Sequence, residues 1–254
     1  MKHSTEYRVH YYYTDYKGEL KPGYLARYMH ESAYHALNAF GPSYKYLKEN
    51  QRGFILSKIS LRMRTPIYYD DQIRVITWAA EPGMAIFHRY YQVYKRVGKS
   101  EILCAEAVTL WALVCSRTKQ LLRSSDLPDY HGTTDPDKLD FVSPRRIALP
   151  EEMNRTGTYK VEYTDLDENL HMNNSIYIDL ICDQAAGLDA GDKPFDGKRI
   201  CSLDVFHVAE APYRSALELY ASKNGNENCF VSANLPDGGE CFRAQVQISD
   251  NIVE

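Results

Sequence analysis

Several features that mark membrane, secreted or nucleic-acid-binding proteins are absent from this sequence of 254 residues. No apolar run approaches the length that spans a bilayer, and the segment Met1–Glu6 is too polar to open a secretory signal. The formal charge of −4 lacks the basic bias that nucleic-acid-binding proteins usually carry. We therefore expect a cytoplasmic protein with no membrane span and no nucleic-acid partner.

Clustered cysteines are also missing. The six cysteines are scattered and none forms a CxxC pair, which disfavours a zinc site or a disulfide framework and favours buried, reduced thiols. Tyrosine, by contrast, is frequent, with 21 residues. Runs such as 11–13 suit a half-buried face of a β-sheet, because bulky rings pack well on a pleated surface.

An internal repeat organises the chain. The segments 7–15 and 159–165 read YRVHYYYTD and YKVEYTD, and their Thr-Asp pairs lie 150 residues apart (164 − 14). Each segment is predicted to be an extended run, followed by a polar turn and then by apolar residues at helical spacing. Asn173 or Asn174 is the predicted N-cap of the second helix.

Four strand-like runs follow each predicted helix, separated by turn signals such as Asn224-Gly225-Asn226. Tight turns between these runs imply antiparallel pairing. The sequence thus predicts an α+β layout present twice, with halves at 1–130 and 154–254 and a linker at 131–153. The predicted strands span 54–65, 72–80, 84–97 and 101–117 in the first half and 198–209, 214–222, 227–235 and 240–249 in the second.

Three polar residues of different chemistry alternate in the second half, namely Asp167, Asn169 and His171. Alternate side chains of an extended segment share one face, so these three can converge. His carries protons near neutral pH, and Asn can orient a partner or donate to a developing oxyanion. A polar loop before a helix is the alternative, although such a loop does not need a His.

The same segment imitates the start of an EF-hand calcium loop, through Asp165, Asp167 and Asn169. That loop needs Gly at its sixth position and a bidentate Glu at its twelfth. Leu170 and Ile176 stand there instead. We therefore expect no calcium site.

The run from Asp167 to Tyr177, DENLHMNNSIY, resembles the signature of the acyl-acyl-carrier-protein thioesterases, a double hot-dog family. The resemblance spans nearly the whole chain and includes the strand around Trp111. It implies a tandem hot-dog fold, in which two curved antiparallel sheets each wrap a long helix. It also implies a thioesterase of fatty-acid biosynthesis that acts on acyl carrier protein bearing an acyl-phosphopantetheine, without cofactor or metal, as a monomer or homodimer.

Members of this family carry a further acidic residue downstream of the His and just before a strand, and Glu210 fits that position. Its apolar neighbours predict a partly desolvated carboxylate, which is a better base near neutral pH. Plant members carry a Cys directly after this Glu. Ala211 stands there instead, which implies a bacterial member and excludes a thiol-ester intermediate at this position.

The expected catalytic set is thus Asp167, Asn169, His171 and Glu210, and it favours direct hydrolysis of a thioester. Glu210 activates a water molecule, His171 and Asn169 position the water or the thioester, and Asp167 orients these groups. A backbone N–H near the start of the second helix is expected to stabilise the oxyanion, because the helix dipole favours negative charge there.

The first half does not repeat this set. At the 150-residue offset, Lys17, Glu19 and Lys21 occupy the positions of the polar triplet, and Pro66 falls near the position of Glu210. We therefore expect one site, in the second half. The resemblance implies that the first half lines the acyl-chain tunnel.

Three other functions remain open: an acyl-coenzyme A thioesterase, a non-catalytic acyl-binding hot-dog protein and a dehydratase-type hot-dog enzyme. Acyl carrier protein is strongly acidic, so a basic surface would favour it over coenzyme A as the carrier. The candidate pieces of such a surface are Arg62-Met63-Arg64, Lys95-Arg96 and Arg145-Arg146.

Overall fold

A computed structural model of the chain describes residues 1–141, 143–188, 191 and 193–249, so the last residues of the predicted second half, 250–254, lie outside the described part. The chain divides into two compact units. The first comprises Met1–Ile59 and Thr65–Val142, and the second comprises Ser60–Arg64 and Ser143–Glu254.

The elements of the first unit are β1 Lys2–Arg8, α1 Pro22–Phe40, α2 Tyr44–Glu49, β2 Arg52–Met63, β3 Gln72–Ala79, β4 Ile86–Val97 and β5 Ser100–Cys115. Its strand order is β1-β3-β4-β5-β2, and the pairs β1–β3, β3–β4 and β4–β5 are antiparallel. Helix α1 packs against β1 and β3 and buries one face that includes Leu25, Met29 and Ala36.

The second unit repeats this plan. Its elements are β6 Asn154–Lys160, α3 Asn174–Ala186, β7 Arg199–His207, β8 Ala216–Asn224, β9 Asn228–Asn234 and β10 Glu240–Ser249. The strand order is β7-β10-β9-β8-β6 with antiparallel neighbours, and helix α3 packs against β9 and β10.

The α+β layout predicted for each half is confirmed, because each unit runs strand, helix and then four strands. The four strands predicted after each helix are all present within two residues of their expected ends, since the turn residues between strands mark the boundaries. The extended runs predicted at 7–15 and 159–165 are strand only at their start, because β1 ends at Arg8, β6 ends at Lys160, and a 3-10 turn follows each of them. Helix α2 was not predicted. It has only six residues, and it begins where Ser43 accepts a hydrogen bond from the Tyr46 N–H.

Residues in and next to the predicted linker contribute side chains to the hydrophobic core. Leu127 and Tyr130, just before it, are buried in a core cluster with Phe87. Within it, Leu139 and Phe141 pack against a second cluster that contains Trp78, and Ile147 is 1% exposed. No helix in the described residues is long and apolar enough to cross a membrane.

Candidate active site

The segment with Asp167, Asn169 and His171 is a tight turn, so the extended conformation predicted for it is wrong. The Asp167 N–H donates to the His171 carbonyl at 2.9 Å, and the Leu170 N–H donates to the Asp167 carbonyl at 3.1 Å. The residues flanking the turn pair as an antiparallel bridge. The turn itself, rather than alternation along a strand, brings the three polar residues together.

The Asp167 carboxylate organises the turn. Its Oδ1 accepts the N–H groups of Asn169 at 2.8 Å and His171 at 3.3 Å, and its Oδ2 accepts from Asn169 Nδ2 at 3.3 Å. Side-chain hydrogen bonds to nearby backbone groups compete with strand pairing. This competition is the physical reason why a turn forms here.

Glu210 lies beside His171 although the two residues are far apart in sequence. The distance from Glu210 Oε2 to His171 Nδ1 is 3.4 Å, and the side chains are 36% and 23% exposed. Nδ1 is buried and makes no hydrogen bond within the described residues, so the Glu210 carboxylate at 3.4 Å is the polar group beside it. The pair thus combines a carboxylate that solvent can reach with an imidazole that can orient it.

Backbone hydrogen bonds join the loop after Glu210 to the Asp167 turn. The Met172 N–H donates to the Ala211 carbonyl at 2.8 Å, and the Tyr213 N–H donates to the Leu170 carbonyl at 3.3 Å. Of the apolar neighbours that predicted a desolvated carboxylate, Ala211 is buried but Val208 is 56% exposed, and the Glu210 side chain is accordingly only partly buried.

Helix α3 begins directly after the turn. The Asn173 side chain is its N-cap and accepts from the Ser175 N–H at 3.0 Å and from Ser175 Oγ at 2.8 Å. Of the two predicted caps, Asn173 is therefore the one used. The N–H of Asn174, the first residue of the helix, has no acceptor in the part of the chain that the structure describes, which leaves a backbone donor at this helix end.

The two halves correspond with an offset of 152 residues, so the predicted offset of 150 is wrong for this region. The bridge between Thr14 and Leu20 matches the bridge between Leu166 and Met172 (166 − 14). Asp15 accepts the Lys17 and Glu19 N–H groups at 2.8 and 3.0 Å, as Asp167 does in the second half. The extra residues of the YYY run caused the wrong register.

This correction changes which residues are equivalent but leaves one site. Asp15 stands at the position of Asp167, Lys17 at that of Asn169 and Glu19 at that of His171. The Leu20 N–H donates to the Ile67 carbonyl at 2.7 Å, as Met172 does to Ala211, so Pro66 is equivalent to Glu210. Of the four candidate types, the first half therefore keeps only the aspartate that shapes the turn.

Sequence reasoning assigned no role to Tyr177, whose hydroxyl accepts the N–H of Ala211 at 3.0 Å. The motif contained this residue, yet nothing in the motif indicates that its partner follows Glu210. His207 lies edge-on to the Tyr177 ring, with centroids 4.9 Å apart.

In the first half, burial lowers the pKa of His30 to about 4, so this His is a neutral core residue at pH 7.

Two family models match the chain. The N-terminal domain of the acyl-ACP thioesterases matches residues 1–126, and the C-terminal domain of the same enzymes matches residues 149–246, which includes all four candidate residues. The chain belongs to the acyl-ACP thioesterase family.

Solved structures show the fold of this acyl-ACP thioesterase family member. An acyl-ACP thioesterase from Bacteroides thetaiotaomicron has a TM-score of 0.83 at 21% identity, covering 98% of both chains. The 12:0-ACP thioesterase from Umbellularia californica has a TM-score of 0.78 at 15% identity, covering 98% of this chain and 97% of the other. The predicted tandem hot-dog fold is thereby confirmed.

A curated relative is the chloroplastic acyl-[acyl-carrier-protein] hydrolase of Cuphea viscosissima. It is 22% identical to this chain over 208 residues, which cover 76% of the chain. The chain spans about half of that relative, 48% of its length.

The turn from Asp167 to His171 contains one residue, Leu170, with a strained backbone conformation. Leu170 has φ 63° and is 67% exposed, whereas its first-half equivalent, Gly18, has φ 79°. A left-handed conformation costs a side-chain-bearing residue roughly 1–2 kcal/mol, and Gly costs roughly 0.5–1 kcal/mol in chain entropy. We expect Leu170→Gly to raise the free energy of unfolding by about 0.5 kcal/mol, measured by chemical denaturation.

Gly18→Ala is the matched control for this prediction. An added Cβ meets nothing within 4 Å at Gly18, so the backbone conformation alone is expected to lower the free energy of unfolding by about 1 kcal/mol. A Leu170→Gly protein as destabilised as Gly18→Ala would mean that the exposed Leu170 side chain stabilises the turn.

Proposed function

We propose that this protein hydrolyses the thioester of acyl-acyl carrier protein to a free fatty acid and the carrier thiol. The observation that supports this most is the 3.4 Å contact between Glu210 and His171 within a chain of this family. A non-catalytic acyl-binding protein needs no such carboxylate–imidazole pair at a solvent-accessible position. The proposed set is Asp167, Asn169, His171 and Glu210.

In the proposed reaction, Glu210 is the general base. Its carboxylate takes a proton from water as the water oxygen bonds to the thioester carbon, and the carbonyl oxygen becomes an oxyanion. When the carbon–sulfur bond breaks, the carbonyl re-forms and the departing sulfur takes the proton back from Glu210. The products are the fatty acid and the phosphopantetheine thiol, with no covalent enzyme intermediate.

The other residues prepare this step. His171 orients the Glu210 carboxylate, and Asp167 holds the turn that carries His171 and Asn169. The Asn169 amide positions the water or the thioester. The free N–H of Asn174 is the proposed oxyanion donor, because it lies at the positive end of the α3 dipole; its first-half equivalent, Pro22, has no N–H.

The basic pairs expected to bind the acidic carrier are mostly engaged elsewhere. Arg62 forms a two-pronged ion pair with the buried Asp204 at 3.0 and 3.1 Å, Lys95 lies 3.6 Å from Asp71, and Arg96 lies 3.6 Å from Glu6. They provide little support for a carrier surface.

Arg214 is a better candidate for carrier binding. It follows Glu210 by four residues, stacks on the exposed Tyr213 ring at 5.0 Å, and has no carboxylate partner among the described residues. Its first-half equivalent, Asp70, has a similar backbone angle, φ 72° against 69°, but is paired with Arg8. We therefore assign Arg214 to an anionic group of the carrier.

Hydrolysis rates on a series of acyl chain lengths, each on carrier protein and on coenzyme A, test the proposed function. We expect the wild type to turn over acyl carrier protein with the higher kcat/KM. Arg214→Ala is expected to raise KM for it about fivefold without changing kcat, since an exposed charge contact contributes roughly 1 kcal/mol.

Equal kcat/KM on both carriers would overturn the preference for carrier protein, and no turnover of either would overturn the proposed activity. Arg155→Ala is the control for Arg214, because Arg155 is an exposed Arg of the same unit that already pairs with Glu218. The cytoplasmic location stays a prediction.

A further inference from the structure

We propose that Tyr177 is a positioning residue, whose hydroxyl holds the peptide group after Glu210 and so aims the Glu210 carboxylate at His171. Tyr177 lies in the first turn of α3 and is 3% exposed. Its hydroxyl accepts the N–H of Ala211 at 3.0 Å. The inference rests on the proposed function, because it assigns Tyr177 to the same reaction.

The position of the Tyr177 ring is well determined by its neighbours. The ring packs edge-on against His207 and Phe242, with centroids 4.9 and 5.7 Å away. Edge-to-face packing of this kind fixes ring orientation. The hydroxyl is therefore presented to Ala211 by a rigid side chain on a helix.

A second buried side chain holds the peptide group before Glu210. The Cys241 thiol donates to the Ala209 carbonyl at 3.4 Å, and the Cys241 carbonyl accepts the N–H groups of both Val208 and Ala209, at 2.9 and 3.0 Å. One carbonyl that serves two consecutive N–H groups bends the strand locally, and such irregularities re-aim side chains next to active sites. Glu210 is thus held on both sides, by an arrangement that we call the Glu210 clamp, formed by Tyr177 and Cys241.

Both groups of the clamp keep their protons at neutral pH. Burial raises the pKa of Tyr177 well above its usual range and raises that of Cys241 to about 11. A neutral hydroxyl can accept the Ala211 N–H and still donate to the Cys241 sulfur. The clamp therefore adds no charge beside the Glu210 carboxylate.

The half without a catalytic carboxylate also has no hydroxyl at the position of Tyr177. Leu25 is the first-half equivalent of Tyr177, and Pro66 is the equivalent of Glu210. The Thr65 N–H donates to the Cys104 carbonyl at 3.2 Å, as Ala209 does to Cys241, but the Cys104 thiol donates to Ile102 in its own strand. The first half therefore has neither a general base nor the Tyr hydroxyl that would position it.

A double-mutant cycle tests the inference. We measure steady-state hydrolysis of acyl-acyl carrier protein by the wild type, Tyr177→Phe, Glu210→Gln and the double variant. We expect Tyr177→Phe to lower kcat about tenfold with KM unchanged, because misplacing a catalytic group by ~1 Å costs up to about 100-fold. In the Glu210→Gln background, the same change is expected to have less than about a twofold effect, because no base remains to be positioned.

Tyr220→Phe is the matched control. It removes a hydroxyl from the same unit, one that is bonded to Glu218 at 3.1 Å, and it is expected to leave kcat unchanged. Thermal unfolding of each variant shows whether it folds. If Tyr177→Phe does not fold, Cys241→Ala tests the clamp from its other side, with the same dependence on Glu210 expected.

The outcomes separate the inference from the proposed function. Equal losses from Tyr177→Phe in both backgrounds, or no loss in either, would overturn the positioning role while leaving the base assignment intact. Absent wild-type turnover would overturn the proposed function itself, and full turnover by Glu210→Gln would overturn the assignment of Glu210 as its base together with the positioning role of Tyr177.

Discussion

Replacing Glu210 by Gln is expected to lower kcat for hydrolysis of acyl carrier protein by about 10³-fold, within the range of roughly 10²–10⁴ that general acid–base catalysis contributes. Gln keeps the size of the side chain, and its amide can still face His171 Nδ1. It cannot take a proton from water. The loss is therefore expected in kcat, with KM changed by less than about twofold, because the group acts in the transition state and not in binding.

Glu31→Gln is the control for this variant. Glu31 also contacts a His, with Oε1 3.1 Å from His35 Nε2, but this pair is exposed on α1. Activity of Glu31→Gln is expected to equal that of the wild type. Near-native turnover by Glu210→Gln would rule out Glu210 as the base, whatever the other variants do.

Replacing His171 by Ala is expected to lower kcat by about 10²-fold, less than the loss of the base itself. Without the ring, the Glu210 carboxylate loses the imidazole contact at 3.4 Å that orients it and gains rotational freedom. The backbone turn is expected to persist, because the Asp167 carboxylate binds the N–H of residue 171 and not its ring. Stability is therefore expected to change little, and steady-state kinetics with thermal unfolding of the same samples measures both effects.

His35→Ala is the matched control, since it removes the imidazole from the exposed Glu31–His35 pair. It is expected to keep full activity. If His171→Ala keeps more than about a third of the wild-type kcat, orientation of Glu210 by His171 is not part of the reaction.

Local sequence signals were sufficient for the elements of each half. Strand-like runs between turn signals predicted all the strands after each helix, and Asn173 was among the predicted caps of α3. These features depend on neighbours a few residues away, and the sequence contains those neighbours. The short helix α2 was missed because its six residues bury only Leu47, which leaves little pattern to detect.

The residues of the candidate site were predicted from the sequence, but the backbone conformation that brings them together was not. Asp167, Asn169 and His171 were read as an extended run, whereas the Asp167 side chain closes them into a turn. Two similar Thr-Asp pairs also suggested an offset of 150, because sequence similarity cannot show which aspartate accepts backbone hydrogen bonds. In the structure, the equivalent bridges Thr14–Leu20 and Leu166–Met172 show that the offset between the two halves is 152 residues.

The sequence by itself determined the family, the repeated α+β plan and the presence of one candidate site, because motif, periodicity and turn residues are local properties. Only the tertiary structure decided that Glu210 lies beside His171 and that Tyr177 bonds the peptide after Glu210. These contacts join residues more than thirty positions apart, and they arise where the loop after β7 pairs with the Asp167 turn. Distances between such segments depend on how the whole unit packs, and no local pattern records them.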